Sequence, residues 1–558
     1  MAAGIGAPGI AAPIHAISLR SRIYGFGSIY GKTVRDSRLS FIIAAGLLGG
    51  MSLVMAAGVS NIFPTPASRL EIDKLIGSIP SSMVNLFGKP VGLGTLGGYF
   101  TWKYGAIFAM GTALWSILAL SGTLAGEASR GSLDIVASAP FGKRRVAVEK
   151  LTAHLTMLGL AMAVLACACV ASSTLWGDSS LGDRIAPLSA LGFALWVGFL
   201  AVFFGGLAFA LAPLLGRSGS AGVASLVMVT LWVANGFDAL APLATVSPFH
   251  WLGNHIALVG MYDWPALAFT GLMGAVLLVI GVEIFTRRDL GVTAGLSMPG
   301  LPKVVLGVRG STSRAFGEQL PRAMSWGIGL GLMGALVAAL VGTMADQIGK
   351  DPNLSSTFAA IFKGFNLTSA GGWLQLYVQL LLIAAGFGAA TFVSKWASDE
   401  QDGRLEMLLA TPMARARWVV AGGIAALLAI VVMTVLFAAG IGIGAASGGV
   451  AVGDAMIGCA ALGIYAAAIV GVGVAVGGVW RTSIAAEIAA MAVVVTYLID
   501  LVAPALNLPD WVHQLALTAH LGQPMIGIWD PVGIGACLLI GFGGIAIGAW
   551  GVTRRDIV

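Results

Sequence analysis

The chain has 558 residues, 58% hydrophobic and only 10% charged, with 79 glycines and a mean hydropathy of +0.91. A soluble protein of this length carries about 25% charged residues, so a water-soluble globular enzyme is excluded. The net charge of +6 has to be explained in a membrane setting.

Apolar runs recur at 39–60, 101–126, 146–175, 185–215, 218–240 and 264–285, and again at 324–345, 371–397, 417–447, 452–479, 483–503 and 529–552. Each approaches or exceeds the roughly 20 residues needed to cross a bilayer. Such runs must be helical, because the hydrocarbon core offers no water to unpaired backbone groups. The expectation is an all-α polytopic membrane protein with about twelve transmembrane helices. Residues 1–38 form an N-terminal cytoplasmic segment and 39–285 a first six-span half. Residues 286–323 form a cytoplasmic connector and 324–558 a second six-span half. With the N-terminus inside, most of the 31 Lys and Arg fall on the inner side, as the positive-inside rule requires. The basic charge is then topological, not a nucleic-acid footprint, and both termini are cytoplasmic in a multi-pass protein of the plasma membrane.

The two halves repeat one another. Gly97-Gly98-Tyr99 recurs as Gly371-Gly372-Trp373, and Arg217-Ser218 as Arg481-Thr482. Thr286-Arg287-Arg288-Asp289 recurs as Thr553-Arg554-Arg555-Asp556. Six spans per half keep the same orientation, so the repeats are parallel. Ahead of the first span of each half stand YGKTVRDSRLSF and SRAFGEQLPRAMSW, a pattern that suits a short interfacial helix. The loops at 61–100 and 346–370 read as amphipathic caps on the outer face.

Between the second and third spans, EASRGSLDIVASAPFGKRR in the first half matches DEQDGRLEMLLATPMARAR in the second. Gly131 corresponds to Gly403, Asp134 to Glu406 and Pro140 to Pro412. Apolar residues at helical spacing give a short helix one greasy side. The glycines let the chain turn and the prolines end the helix. An apolar stripe rimmed by charge, made twice, reads as a docking surface for a two-fold partner.

These loops, their position and the segments before the first spans resemble permease subunits of type-two ATP-binding-cassette (ABC) exporters. The resemblance is to a tandem-duplicated form similar to actinobacterial exporters of polyketide antibiotics. The resemblance implies that Glu127, Arg130, Gly131, Asp134 and Pro140 in one half form a coupling helix seated in an ATPase subunit. Asp399, Glu400, Gly403, Glu406 and Pro412 would do the same in the other half. The halves depart from each other where Arg144 faces Ala416. By the same resemblance the second and fifth spans line a cargo cavity, with Phe108, Met110, Trp115, Met228, Trp232 and Asn235 on one side. Gln375, Tyr377, Gln379, Met491 and Tyr497 are their second-half equivalents. The implied cargo is a hydrophobic or amphipathic small molecule such as an antibiotic, drug or lipid. Export is favoured because the importer docking loop is not matched: Gly131 follows Glu127-Ala128-Ser129 too early.

The chain itself carries no nucleotide site. Its nearest approach to a P-loop, Gly27-Ser28-Ile29-Tyr30-Gly31-Lys32-Thr33, is one residue short and precedes a span, not an α/β domain. ATP and Mg are therefore expected in a partner, two copies of a cytosolic ABC ATPase, and this chain is expected to be a transport subunit with no catalytic residue, metal or cofactor of its own. Four cysteines, Cys167, Cys169, Cys459 and Cys537, lie in apolar spans as small hydrophobes. The start of the chain lacks a basic flank and compact apolar core, so no cleaved signal peptide is expected. His250 and His255 near Tyr262 and Asp263 come closest to a constellation, in a segment that reads as a re-entrant structural element. Asp238 and Asp500 stand at outer span ends, and Glu283 and His154 toward inner ends, so deep charge is scarce. Two other readings stand beside the exporter: an ion-coupled secondary carrier built from parallel repeats, and a non-transporting membrane scaffold.

Overall fold

A computed structural model describes residues 28–74, 84, 88–124, 142–235, 240–287, 310–350, 352–361, 365–448, 450, 453–506 and 508–555. The protein is an all-α polytopic membrane protein. Eleven described helices are long and apolar enough to cross a bilayer, and one further apolar helix, Gly219–Ala234, is shorter. Packing divides the chain into two compact units, one of Met1–Leu53 and Asn85–Leu296, the other of Val54–Val84 and Ser297–Val558.

The first unit is built on α1 (Ile29–Ile62) as far as Leu53, α2 (Leu96–Thr123), α3 (Lys143–Trp176), α4 (Pro187–Ala234) and α5 (Trp264–Arg287). α1 starts in the segment expected as an interfacial helix and runs on without a break. α4 joins the fourth and fifth expected spans across a kink at Gly216 (φ 71°, ψ −179°), three residues after Pro213. α2 and α5 pack on α4. Ala109, Ala113 and Ile117 of α2 meet Leu200, Phe204, Ala208 and Met228 of α4 in a buried core. Ser116 of α2 and His154 of α3 share a buried hydrogen bond of 3.0 Å.

In the second unit the principal helices are α6 (Ser311–Gly349), α7 (Ala370–Gln401), the six-residue α8 (Arg404–Leu409) and α9 (Arg415–Ser447). They are followed by α10 (Ala460–Val479), α11 (Ala485–Ala505) and α12 (Pro531–Val552). α6 takes in the second expected interfacial segment and continues through Pro321 into the span. α6 packs along α9, α10 along α12, and α7 touches α6, α10 and α11. Small residues allow these approaches, as is usual between membrane helices. A Cβ on Gly478 would lie 2.2 Å from the Gly548 carbonyl oxygen, and one on Gly440 2.0 Å from that of Gly331. Cys169, Cys459 and Cys537 are buried, whereas Cys167 is exposed. Two residues along a helix turn the chain about 200°, which places Cys167 on the face opposite Cys169.

The repeated Gly-Gly motif has the same geometry in each unit. Thr95 caps α2 by accepting from the Gly98 N–H at 3.1 Å, and Ser369 caps α7 by accepting from the Gly372 N–H at 3.1 Å. A Cβ on Gly98 would sit 2.0 Å from the Gly92 carbonyl oxygen, and one on Gly372 1.9 Å from that of Asn366. Only a hydrogen fits there. The entry to the last helix of each unit also repeats. An Ile256–Met261 bridge encloses a 3-10 turn ended by Gly260, and a Gln523–Ile528 pair encloses one ended by Gly527. Asp263 and Asp530 then cap the helices that follow.

Candidate functional site

Glu127, Arg130, Gly131, Asp134 and Pro140, expected to form the first docking loop, lie outside the described residues. The second docking segment is described in full. α7 ends at Asp402, and Gly403 takes the left-handed conformation (φ 69°, ψ 7°) that starts α8. A side chain there costs about 1–2 kcal/mol. α8 stops at Leu409, Pro412 stands exposed in the following turn, and α9 begins at Arg415.

The helix has two unlike faces. Leu405 is 1% exposed, whereas Met407 is 68% exposed, with Glu406, Ala410, Thr411 and Pro412 also facing outward. A thioether left in the open beside a carboxylate is an adaptable contact surface.

The carboxylates at its root are turned inward. Asp399, its side chain 8% exposed, accepts from Arg314 of α6 at 3.1 Å and from the Trp418 indole of α9 at 3.3 Å. Arg404 lies 3.9 Å from its other oxygen. Glu318 of α6 pairs with Arg314 and with Lys395 of α7, each at 2.7 Å. Glu400 accepts from Arg555, beyond the end of α12, at 2.8 Å and from the Thr482 hydroxyl between α10 and α11 at 2.8 Å. Gln401 donates to the Thr482 carbonyl at 3.3 Å. Arg415 in turn donates to the Arg555 carbonyl at 3.2 Å.

Asp399 and Glu400 are thus committed inside the unit, while Glu406, Met407 and Pro412 are presented outside it. The residues just before α8 are thus joined by charge-assisted hydrogen bonds, the strong class, to α6, α9, the segment after α12 and the α10–α11 junction. The residues flanking the first loop also tie several helices together. Arg144 pairs with Glu283 of α5 at 2.9 Å, and Glu149 of α3 accepts from Arg145 at 2.7 Å and from the Tyr30 N–H of α1 at 3.1 Å. The Arg144/Ala416 difference therefore has a structural counterpart: the first unit reaches its last helix from Arg144, the second from Glu400.

Several of the expected cargo-lining residues are engaged within their units. Phe108 is buried against Phe100, with ring centroids 5.2 Å apart, and Met110 packs against the core that contains Met228. Trp115 meets His154 edge-on at 5.5 Å. Trp232 is half-buried, and the Asn235 amide lies 3.5 Å from the Ser247 hydroxyl. Gln375 is buried and accepts from the Met525 N–H at 3.0 Å, and Tyr377 stacks on Trp373. Gln379 and Tyr497 are half-buried, and Met491 is exposed.

Sequence reasoning passed over Lys103, an ammonium inside α2. It donates to the Tyr99 hydroxyl at 3.2 Å and lies 5.3 Å from the Tyr104 ring centroid. The signal was there to read, a lone lysine with tyrosines at i−4 and i+1. His255 is a structural pin: its Nδ1 accepts from the Asp263 N–H at 3.0 Å, so its Nε2 carries the proton toward the Gly192 carbonyl at 3.2 Å.

No curated protein matches the chain. Residues 312–552 match the family model described as the C-terminal domain of the multidrug efflux system permease Rv1217c. The matched stretch runs from the first turn of α6 to the end of α12 and contains the whole docking segment. Over that stretch the chain, a multi-pass membrane protein, is similar to the C-terminal domain of a multidrug efflux permease.

Proposed function

We propose that the protein is the permease of an ATP-driven ABC exporter, with both transmembrane halves fused in tandem and two copies of a separate cytosolic ATPase docking on it. The observation that carries this reading is the α7–α9 turn. It presents a short helix with an open Met407 face, rooted by two ion pairs and two further hydrogen bonds in four other parts of its unit. A lever of this kind converts displacement by a partner into helix movement, which a merely solvated loop would not do. The matching helix caps and hairpins of the two units favour a tandem duplication, and hence a second lever within 127–140. ATP and Mg belong to the partner. The cargo is a hydrophobic or amphipathic compound such as an antibiotic, drug or lipid, moved outward across the plasma membrane, with both termini and α8 in the cytosol.

The test is affinity purification from native membranes, with two ATPase copies per chain expected. Transport that ignores ATP and stops with a protonophore would instead make the protein a secondary carrier. Labelling of a cysteine placed at Met407 from the cytosolic side checks the orientation, and labelling from outside would sink the docking assignment.

A further inference from the structure

Asp500 lies in the last third of α11. One oxygen of its carboxylate accepts from the Thr518 hydroxyl in the 3-10 turn Leu517–His520, and the Gln379 side chain of α7 reaches the same carboxylate. The other oxygen, Oδ1, is enclosed and accepts no hydrogen bond. Among the described residues no Lys, Arg or His forms an ion pair with it, and His513 is the one cation-forming group whose charge reaches it. Asp399, Glu400 and Glu318, by contrast, each have an arginine or lysine at hand.

Asp500 is the last residue of its span, and a carboxylate oxygen enclosed there without a counter-charge is costly to keep. The surroundings are those that favour an organic cation. Tyr465 of α10 and Tyr497 of α11 are close enough to feel the Asp500 charge, and phenol faces attract cations. The Gln379 amide adds an orienting polar group of the kind found in small-molecule sites. Asp500, Gln379 and Tyr497 each keep part of their surface open within the unit, whereas Tyr465 and Thr496 behind them are buried. A spare acceptor, the partly open Tyr497 and an amide thus stand where α7, α10 and α11 pack together.

We propose that Asp500 is the anionic subsite for a lipophilic organic cation, which makes cationic amphiphiles a substrate class of this protein. The inference rests on the drug-exporter reading, and its test separates the two. The full-length chain, purified in lipid nanodiscs, is titrated with a lipophilic cation, ethidium, and with a neutral dye, Nile red. Asp500→Asn is expected to weaken ethidium by about tenfold, the loss of one charge-assisted contact, while Nile red stays within about twofold. Asp500→Glu should retain ethidium. Tetraphenylphosphonium should displace it where sodium does not.

Unchanged ethidium affinity in Asp500→Asn overturns the proposal. So does an equal loss of both dyes, which would make Asp500 a structural residue, or displacement by sodium, which would make the place an inorganic ion site. A wild-type chain that binds Nile red but not ethidium removes the cationic substrate class and leaves the exporter standing. One that binds neither dye removes both.

Discussion

Arg555 grips the carboxylate of Glu400 across 155 positions of sequence, with both side chains almost entirely out of contact with solvent (12% and 10% exposed). The end of the last helix is thereby fastened to the foot of the docking turn. Removing one partner strands the other charge in a buried setting, which costs about 3–5 kcal/mol. Arg555→Ala and Glu400→Ala should each lower the melting temperature of the purified chain, and the double variant should lose less than the two losses combined. Strict additivity in that cycle would show that the pair does not couple.

Leu405 and Met407 separate stability from docking on one six-residue helix. Leu405→Ala should destabilise the chain by about 2–5 kcal/mol, the usual cost of emptying a core position. Met407→Asp, on the open face, should leave the melt unchanged and weaken ATPase capture by about tenfold, as loss of an interface anchor does. Full capture and full transport with Met407→Asp would place the docking contact elsewhere.

Gly403→Ala puts a β-carbon on a left-handed residue and should cost about 1–2 kcal/mol. Gly403→Asn, which tolerates that conformation better, should cost less. The ordering Gly, Asn, Ala in thermal stability is the readout, and an alanine variant as stable as the parent would contradict the turn geometry.

Gly98→Ala and Gly372→Ala meet a backbone oxygen at 2.0 and 1.9 Å respectively. Neither oxygen can step aside without undoing a helix cap, so each change should cost about 2–4 kcal/mol, toward the upper end for single substitutions. Similar losses from the two variants, measured as melting temperatures, are expected if the units share one design. Tolerance of one and not the other would argue against equivalence.

His255 makes stability depend on pH. Burial lowers its proton affinity below the ordinary histidine value, against the opposing pull of the Gly192 and Asp263 backbone contacts and of the Asp263 charge. A second proton would also point at the Asp263 N–H that now donates to Nδ1. Because the folded-state value is the lower one, stability is complete above the unfolded value of about 6.5 and is lost as pH falls through it. Melting curves between about pH 8 and about pH 5 should show that decline, and His255→Gln should flatten it. A wild-type profile that is already flat would refute the pinning role.

Much of this protein was legible in the sequence because a bilayer is an unforgiving solvent. Runs such as 417–447 and 529–552 must be helices once they must cross hydrocarbon, and α9 and α12 occupy them. The turn between α7 and α9 could be located from Gly403 and Pro412, whose backbone constraints are local. The two spans expected at 185–215 and 218–240 meet where α4 kinks at Gly216, although the helix carries on through it. The interfacial segments were harder to place, since nothing in SRAFGEQLPRAMSW tells a separate helix from the first turns of α6.

What a side chain does once the helices pack could not be read from its neighbours in sequence. Asp399 and Glu400 stand side by side in the chain and look like equal candidates for an outward contact. Helical geometry sends the first to Arg314 and Trp418 and the second to Arg555 and Thr482, partners between 19 and 155 positions away. Hydropathy decided which segments enter the membrane, because transfer free energy is summed residue by residue. Ion pairing, enclosure and the isolation of Asp500 were decided only by tertiary structure, because they depend on which distant helix supplies, or withholds, the opposite charge.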